Sequence, residues 1–222
     1  MNTEQQFLQA LQDSFEQYQQ FGARSNKKLI PIHSWLAKII INNLDDTFKI
    51  HSLGYGKEIK LLGKYYQKTL DIAITKEEKT ICTISFKFVT SNYKQNSNNY
   101  FENLLGECAN IRRVNVGFAH FLVLRANTPY YEKNTTINKI AKKTEVINAK
   151  NLKKYLELIK ELDLPHKPDL LTIAIIDFDS DNKPYLVNLE QYNFSKEDLL
   201  ILQSHGINNF VKKITALCQL KA

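Results

Sequence analysis

Two runs of alternating residues on either side of a charged turn constrain this chain more than any other feature. Leu70, Ile72 and Ile74 alternate with Thr69, Asp71 and Ala73, and the turn 76–79 leads to Ile84, Phe86 and Phe88 alternating with Thr83, Ser85 and Lys87. Period two on both sides of a short polar turn predicts a β-hairpin with one apolar face. Leu70, Ile72, Ile74, Ile84, Phe86 and Phe88 are expected on that face, and Asp71, Ser85 and Lys87 on the other.

The flanking segments predict helices and further strands. Residues 3–20 carry a stripe of Phe7, Leu8, Leu11, Phe15 and Tyr18, and Pro31 opens a second helix over 32–43. Residues 91–99 are a polar stretch, followed by a helix over 99–114 with Phe101, Leu104, Leu105, Cys108 and Ile111 at helical spacing. Residues 118–125 and 170–177 read as interior strands, residues 185–189 as a strand beside the latter, and 151–162 as a helix. Ser195 with Asp198 three positions on predicts an N-cap opening a last helical region. The expectation is one α/β domain: a central mixed sheet flanked by helices, a core over about residues 50–190, and an N-terminal helical segment over 1–45.

Composition narrows the class. A chain of 222 residues, 43% hydrophobic, can bury a sizeable core. Its apolar runs are too short to cross a bilayer, and the first twenty residues lack the pattern of a signal peptide. Cys82, Cys108 and Cys218 form no CxxC pair and no cluster with histidine, which suits small buried hydrophobes in a reducing, cytoplasmic setting. The formal net charge is +7, with nine Lys or Arg against three acids over residues 22–68. That balance is compatible with a polyanionic partner and equally with a solvated surface. The five histidines are not at metal-ligand spacing, His120 reads as a satisfied core residue, and no Gly-rich phosphate cradle is present.

The polar face of the hairpin carries the chemistry. Neighbouring strands lie roughly 5 Å apart, so Asp71, Ser85 and Lys87 can approach one another. Glu102 sits about 100° around the following helix from Phe101, at the edge of its apolar stripe. Two carboxylates and a lysine suit phosphodiester hydrolysis: Asp71 and Glu102 as oxygen ligands of a hard cation, Lys87 against developing negative charge, Ser85 orienting water. The plain alternative is a cross-strand ion pair of Asp71 and Lys87, with Glu102 on a wet helix.

The stretches GKYYQKTLDIAI (63–74), ISFKF (84–88) and SNYKQNSNNYFENLLGECANIR (91–112) resemble type II restriction endonucleases of the PD-(D/E)xK nuclease superfamily. The resemblance spans roughly residues 54–125. It implies a restriction-endonuclease-like core, magnesium as cofactor, double-stranded DNA as substrate, cleavage leaving 5′-phosphate and 3′-hydroxyl ends, and a homodimer. A companion DNA methyltransferase in the same system is also implied, though not as a bound subunit. Asp71 matches the first acid and Lys87 the lysine. Ser85 stands in the usual acidic slot, and Leu70 stands where the motif has proline.

In some members that slot is serine and the acid has moved to the next helix. Glu102, fifteen positions after Lys87, is the first choice for it, and Glu107 competes. The two lie about 140° apart on a helix, so both are not expected at one metal. Glu58 would be a further ligand. The resemblance makes Asn92, Tyr93, Lys94 and Asn98 DNA contacts near the cut, with Arg24, Lys27 and Lys28 as phosphate contacts. A catalytically silent DNA-binding protein on the same scaffold, and a low-specificity repair or mobile-element nuclease, remain alternatives.

Overall fold

The computed structural model describes residues 1–22, 25–130 and 142–222. The chain opens with α1 (Thr3–Phe21), whose first turn is closed by a capping box between Asn2 and Gln5. A single 3-10 turn, Asn26–Leu29, leads into α2 (Ile30–Ile41), with Pro31 in its first turn, where a missing N–H costs nothing. Then follow β1 (Phe48–Ser52), β2 (Lys60–Leu62), β3 (Gln67–Thr69), β4 (Ile72–Lys76) and β5 (Lys79–Val89). The second half contains α3 (Tyr93–Arg112), β6 (Gly117–Arg125), β7 (Asn127–Tyr130), β8 (Lys143–Val146) and α4 (Ala149–Lys160). It closes with β9 (Leu170–Phe178), β10 (Pro184–Leu186), α5 (Lys196–Ser204) and α6 (Ile207–Lys221).

The protein is α/β, with a six-stranded mixed central sheet in the order β1-β4-β5-β6-β9-β10, flanked by helices. β1, β4 and β5 are antiparallel neighbours, β5, β6 and β9 are parallel, and β10 returns antiparallel to β9. Residues 72–76 and 79–89 form the expected hairpin, with Ile72 opposite Ile84 and Ile74 opposite Cys82. The parallel step from β5 to β6 requires a crossover, and α3 supplies it. Among the described residues, short β2 and β3 pair only with each other, as do β7 and β8.

Each sheet face has its own apolar layer. Ile72, Ile84, Phe86, Phe88 and Phe121 pack beneath α1, α2 and α6 through Phe7, Leu36, Phe210 and their neighbours. Ala73, Phe118, Leu122, Leu171 and Ile173 pack beneath α3 and α4 through Leu104, Cys108, Leu152 and Tyr155. All three cysteines are buried and free. The Ser195 hydroxyl accepts the Asp198 N–H at 3.1 Å, the cap expected at that point.

Two readings of the sequence are corrected. Leu70 lies in the layer under α3, not with Ile72 and Ile74, because the chain leaves the ladder before Ile72 and the Leu70 N–H turns to the Ile59 carbonyl. Residues 93–99 are the first two turns of α3 and not a loop; Asn92, in the left-handed region at φ 54°, makes the bend into them. The helical region expected after Ser195 is present, and it comprises two helices, α5 and α6. None of the described helices is long and apolar enough to cross a membrane.

Candidate active site

The site sits where β4 and β5 begin to part beyond the Ile72–Ile84 pair. Asp71 has left the strand, and its Oδ2 accepts the Phe86 N–H at 2.9 Å, replacing a ladder bond with a carboxylate. Ser85 stands beside His120 in the parallel β5/β6 register, so both project to the face opposite Phe86 and Phe121. Lys87 follows on the same face one pleat further on. It is exposed, and its Nζ lies 4.9 Å from the centroid of the Tyr100 ring. Asp71, Ser85, Lys87 and His120 all line one cavity of about 440 Å³.

The other wall of the cavity is α3. Tyr100, Asn103, Leu104 and Glu107 line it, a spacing of three, one and three that describes one helical stripe. Glu107 Oε2 lies 3.4 Å from Ser85 Oγ, which donates to it, and 3.3 Å from Lys68 Nζ. Only 15% of the Glu107 side chain is exposed. Burial pushes its carboxyl above the usual range, Asp71 adds to the rise, and the Lys68 ammonium opposes it.

Glu102 does not join this group. It is exposed, does not line the cavity, and its charge acts instead on Lys154. Phe101, against which the sequence placed it, meets Tyr155 of α4 edge to face at 5.1 Å. The edge of that stripe is therefore the α4 side of the helix, and the sheet side is the stripe ending at Glu107. Glu58 lies outside the cavity lining, in the segment before β2. Burial raises its carboxyl, and the Asp71 charge acts in the same direction.

The basic residues divide. Lys28 is half-buried on the 3-10 turn whose Leu29 lines the cavity, and burial lowers its pKa with help from Lys87. Lys27 is exposed, its Nζ 3.7 Å from the Phe21 ring centroid. Arg24 falls outside the described residues. Tyr93 is corrected from a DNA contact to a core residue: it is 1% exposed and its hydroxyl donates to the Asn151 carbonyl. Asn92, Lys94 and Asn98 do not line the cavity. The Asn92 N–H donates to Pro129, the Lys94 N–H to the Glu145 carboxylate, and Asn98 accepts from Lys154.

Four polar residues of the cavity went unassigned in the sequence. Tyr66 and Lys68 come from the β2–β3 hairpin, and Tyr100 and Asn103 from α3. The helical stripe through Glu107 could have found the last two, but no local pattern announces the first pair. His120 is also reread. It is buried, yet it lines the cavity and its Nδ1 has no hydrogen-bond partner among the described residues. Burial, reinforced by Lys87, lowers its pKa to about 3, so the ring is neutral near pH 7.

The donor set is two carboxylates and a hydroxyl, all oxygen. Among the described residues no group of three His, Cys, Asp or Glu side chains converges tightly enough to cage an ion. Magnesium does not require such a cage, because it retains waters and takes one or two carboxylates together with substrate phosphates. The contact of Lys68 with Glu107 also marks this carboxylate as one that attracts positive charge. Asp71, Glu107 and Ser85 are oxygen donors of the kind that could hold a hard cation. Comparison of the chain with protein-family models, curated proteins and solved structures gives no match.

Proposed function

We propose that the protein is a magnesium-dependent endonuclease that hydrolyses phosphodiester bonds of double-stranded DNA at specific sites. One observation carries this reading: the Asp71 and Glu107 carboxylates line the same cavity as the Lys87 and Lys68 ammonium groups and the Ser85 hydroxyl. An acidic pair beside lysines on an open cavity suits a phosphate that must be gripped by cation and ammonium together.

Asp71 and Glu107 would hold the cation, which when bound polarises the phosphate and eases deprotonation of the attacking water. The Phe86 N–H fixes the Asp71 carboxylate in place before substrate arrives. Lys87 donates to the phosphate oxygen on which negative charge grows. Ser85 keeps the Glu107 carboxylate oriented through its hydroxyl. Neutral His120 backs the site without adding a competing charge. Lys28, at the cavity edge, and Lys27 would bind flanking phosphates. A homodimer matches the two-fold symmetry of duplex sites, and a companion methyltransferase would protect host DNA in the cytoplasm.

A second reading is favoured by the same Lys68–Glu107 pair. A lysine standing on the second carboxylate is also what a scaffold that binds DNA without cutting it would carry. Incubation of the protein with long unmethylated duplex, in magnesium or in EDTA, separates the readings. Discrete magnesium-dependent fragments that disappear in Asp71→Asn support the proposal, and a smear supports a low-specificity nuclease. Retained DNA binding without cutting supports the silent scaffold.

A further inference from the structure

The β2–β3 hairpin stands apart from the central sheet, with Lys60 opposite Thr69, Leu61 opposite Lys68 and Leu62 opposite Gln67. Leu61 and Lys68 therefore share a face. Leu61 packs onto the layer under α3, and Lys68 on that face reaches Glu107. Residues 60–69 contain three lysines and no acid. Around the tip, Leu62, Tyr65 and Tyr66 are 70%, 66% and 47% exposed, a concentration of large apolar surface that folding alone does not explain.

The tip is nonetheless held firmly. Asn110 of α3 is fully buried, and its side-chain oxygen accepts the N–H groups of Tyr65 and Tyr66 at 2.8 and 3.2 Å. Its amide nitrogen donates to the Tyr66 carbonyl at 3.1 Å, and its own carbonyl accepts the Lys64 N–H at 2.9 Å. A Cβ on Gly63 would come within 2.3 Å of that amide, so only glycine permits the approach. Asn110 lies one turn beyond Glu107, and Tyr66 and Lys68 line the cavity itself.

We propose that this hairpin is an arm that grips the DNA strand entering the cavity. Lys64 and Lys68 hold its phosphates, Tyr65 and Tyr66 pack against its sugars, and Asn110 is the positioning residue that keeps the arm preorganised. The inference rests on the nuclease reading and extends it to the strand beside the scissile bond. Lysines without acids favour a polyanion over a second copy of this chain, and continuity with the cavity through Tyr66 and Lys68 favours the substrate itself.

The test is fluorescence anisotropy of a short labelled duplex in EDTA, where no cutting occurs, with thermal melts confirming that each variant folds. Tyr65→Ala with Tyr66→Ala is expected to weaken binding about tenfold. Lys64→Gln with Lys68→Gln is expected to weaken it and to reduce the slope of log affinity against log salt by about two. Lys79→Gln, at the far end of β4 and β5 from Asp71, is expected to leave binding unchanged. Folded arm variants that bind as tightly as wild type, while wild type binds and cuts, would overturn the arm alone. Unchanged binding with lost self-association in sedimentation would reassign the tip to an interface between copies. Wild type that neither binds nor cuts duplex would sink the nuclease reading and the arm together.

Discussion

The two faces of the central sheet are built from the same strands, and each buries an apolar layer, but at Ser85 and Lys87 of β5 only one of them is closed. On β5, Ile84, Phe86 and Phe88 enter a layer closed by three helices, while Ser85 and Lys87 stand between them on a face that α3 only partly covers. β6 repeats the contrast, with Phe121 touching Phe7, Phe86 and Phe210 on one side and His120 facing the cavity on the other. Polar groups on a face that could be closed by apolar ones cost stability, so their presence at one end of the sheet calls for a use. The contrast implies that stability and chemistry are separable between adjacent residues of one strand.

The sharpest way to break this separation is at Asp71. Asparagine there can still accept the Phe86 N–H through its side-chain oxygen but carries no charge. Cleavage is expected to fall by three orders of magnitude or so, since the charge stabilisation a cation supplies is worth several kcal/mol. The melting temperature should hold within a few degrees. Rates from gel assays and a thermal melt check both halves; a collapse in stability with the rate retained would reverse the assignment.

Next comes the neighbouring pair Ile84→Ala and Ser85→Ala. Ile84 is fully buried in the closed layer, and its truncation should cost roughly 2–5 kcal/mol. Ser85→Ala should cost about 1 kcal/mol or less in urea unfolding, because it removes one long hydrogen bond to Glu107, while lowering the cleavage rate. Equal destabilisation by the two would erase the distinction between the faces.

A smaller effect follows from pH. His120 and His33 are both lowered by burial, His120 to about 3. Below the unfolded histidine value near 6.5 the unfolded chain takes up protons that the folded one refuses. The histidine contribution to stability should therefore be full above about pH 6.5 and decline below it, for His120 toward about pH 3 and by at most about 1.4 kcal/mol per pH unit. The raised Glu107 and Glu58 carboxyls act in the opposite direction. His120→Gln should flatten that decline in unfolding titrations, and an unchanged slope would place the proton uptake elsewhere.

What the sequence shows of this comparison depends on period. The hairpin parity was readable because each residue of β4 and β5 reports its face by its neighbours two positions away. That placed Ser85 and Lys87 on one face, whereas Asp71 and Leu70 lie just outside β4, where the parity fails for Leu70 and Asp71 is held instead by the Phe86 N–H. α3 was readable as a helix from its stripe, but choosing Glu102 over Glu107 required knowing which edge of the stripe meets the sheet. That depends on where α4 packs, a contact between residues more than fifty positions apart. Tyr93 was hidden because it begins the helix among asparagines and a lysine that also compose loops. The β2–β3 hairpin was unreadable because strands of three residues carry no usable period, and the bond network at Asn110 links positions over forty apart.

The most direct test compares two glutamates of one helix. Glu107→Gln and Glu102→Gln should be assayed for magnesium-dependent cleavage of the same duplex beside wild type, with thermal melts as a check on folding. If the cavity is the active site, Glu107→Gln loses cleavage on the order of a thousandfold. Glu102→Gln then stays within a few-fold of wild type. Cleavage that survives Glu107→Gln and disappears in Glu102→Gln would contradict the site, and would move the second carboxylate to the outer side of α3.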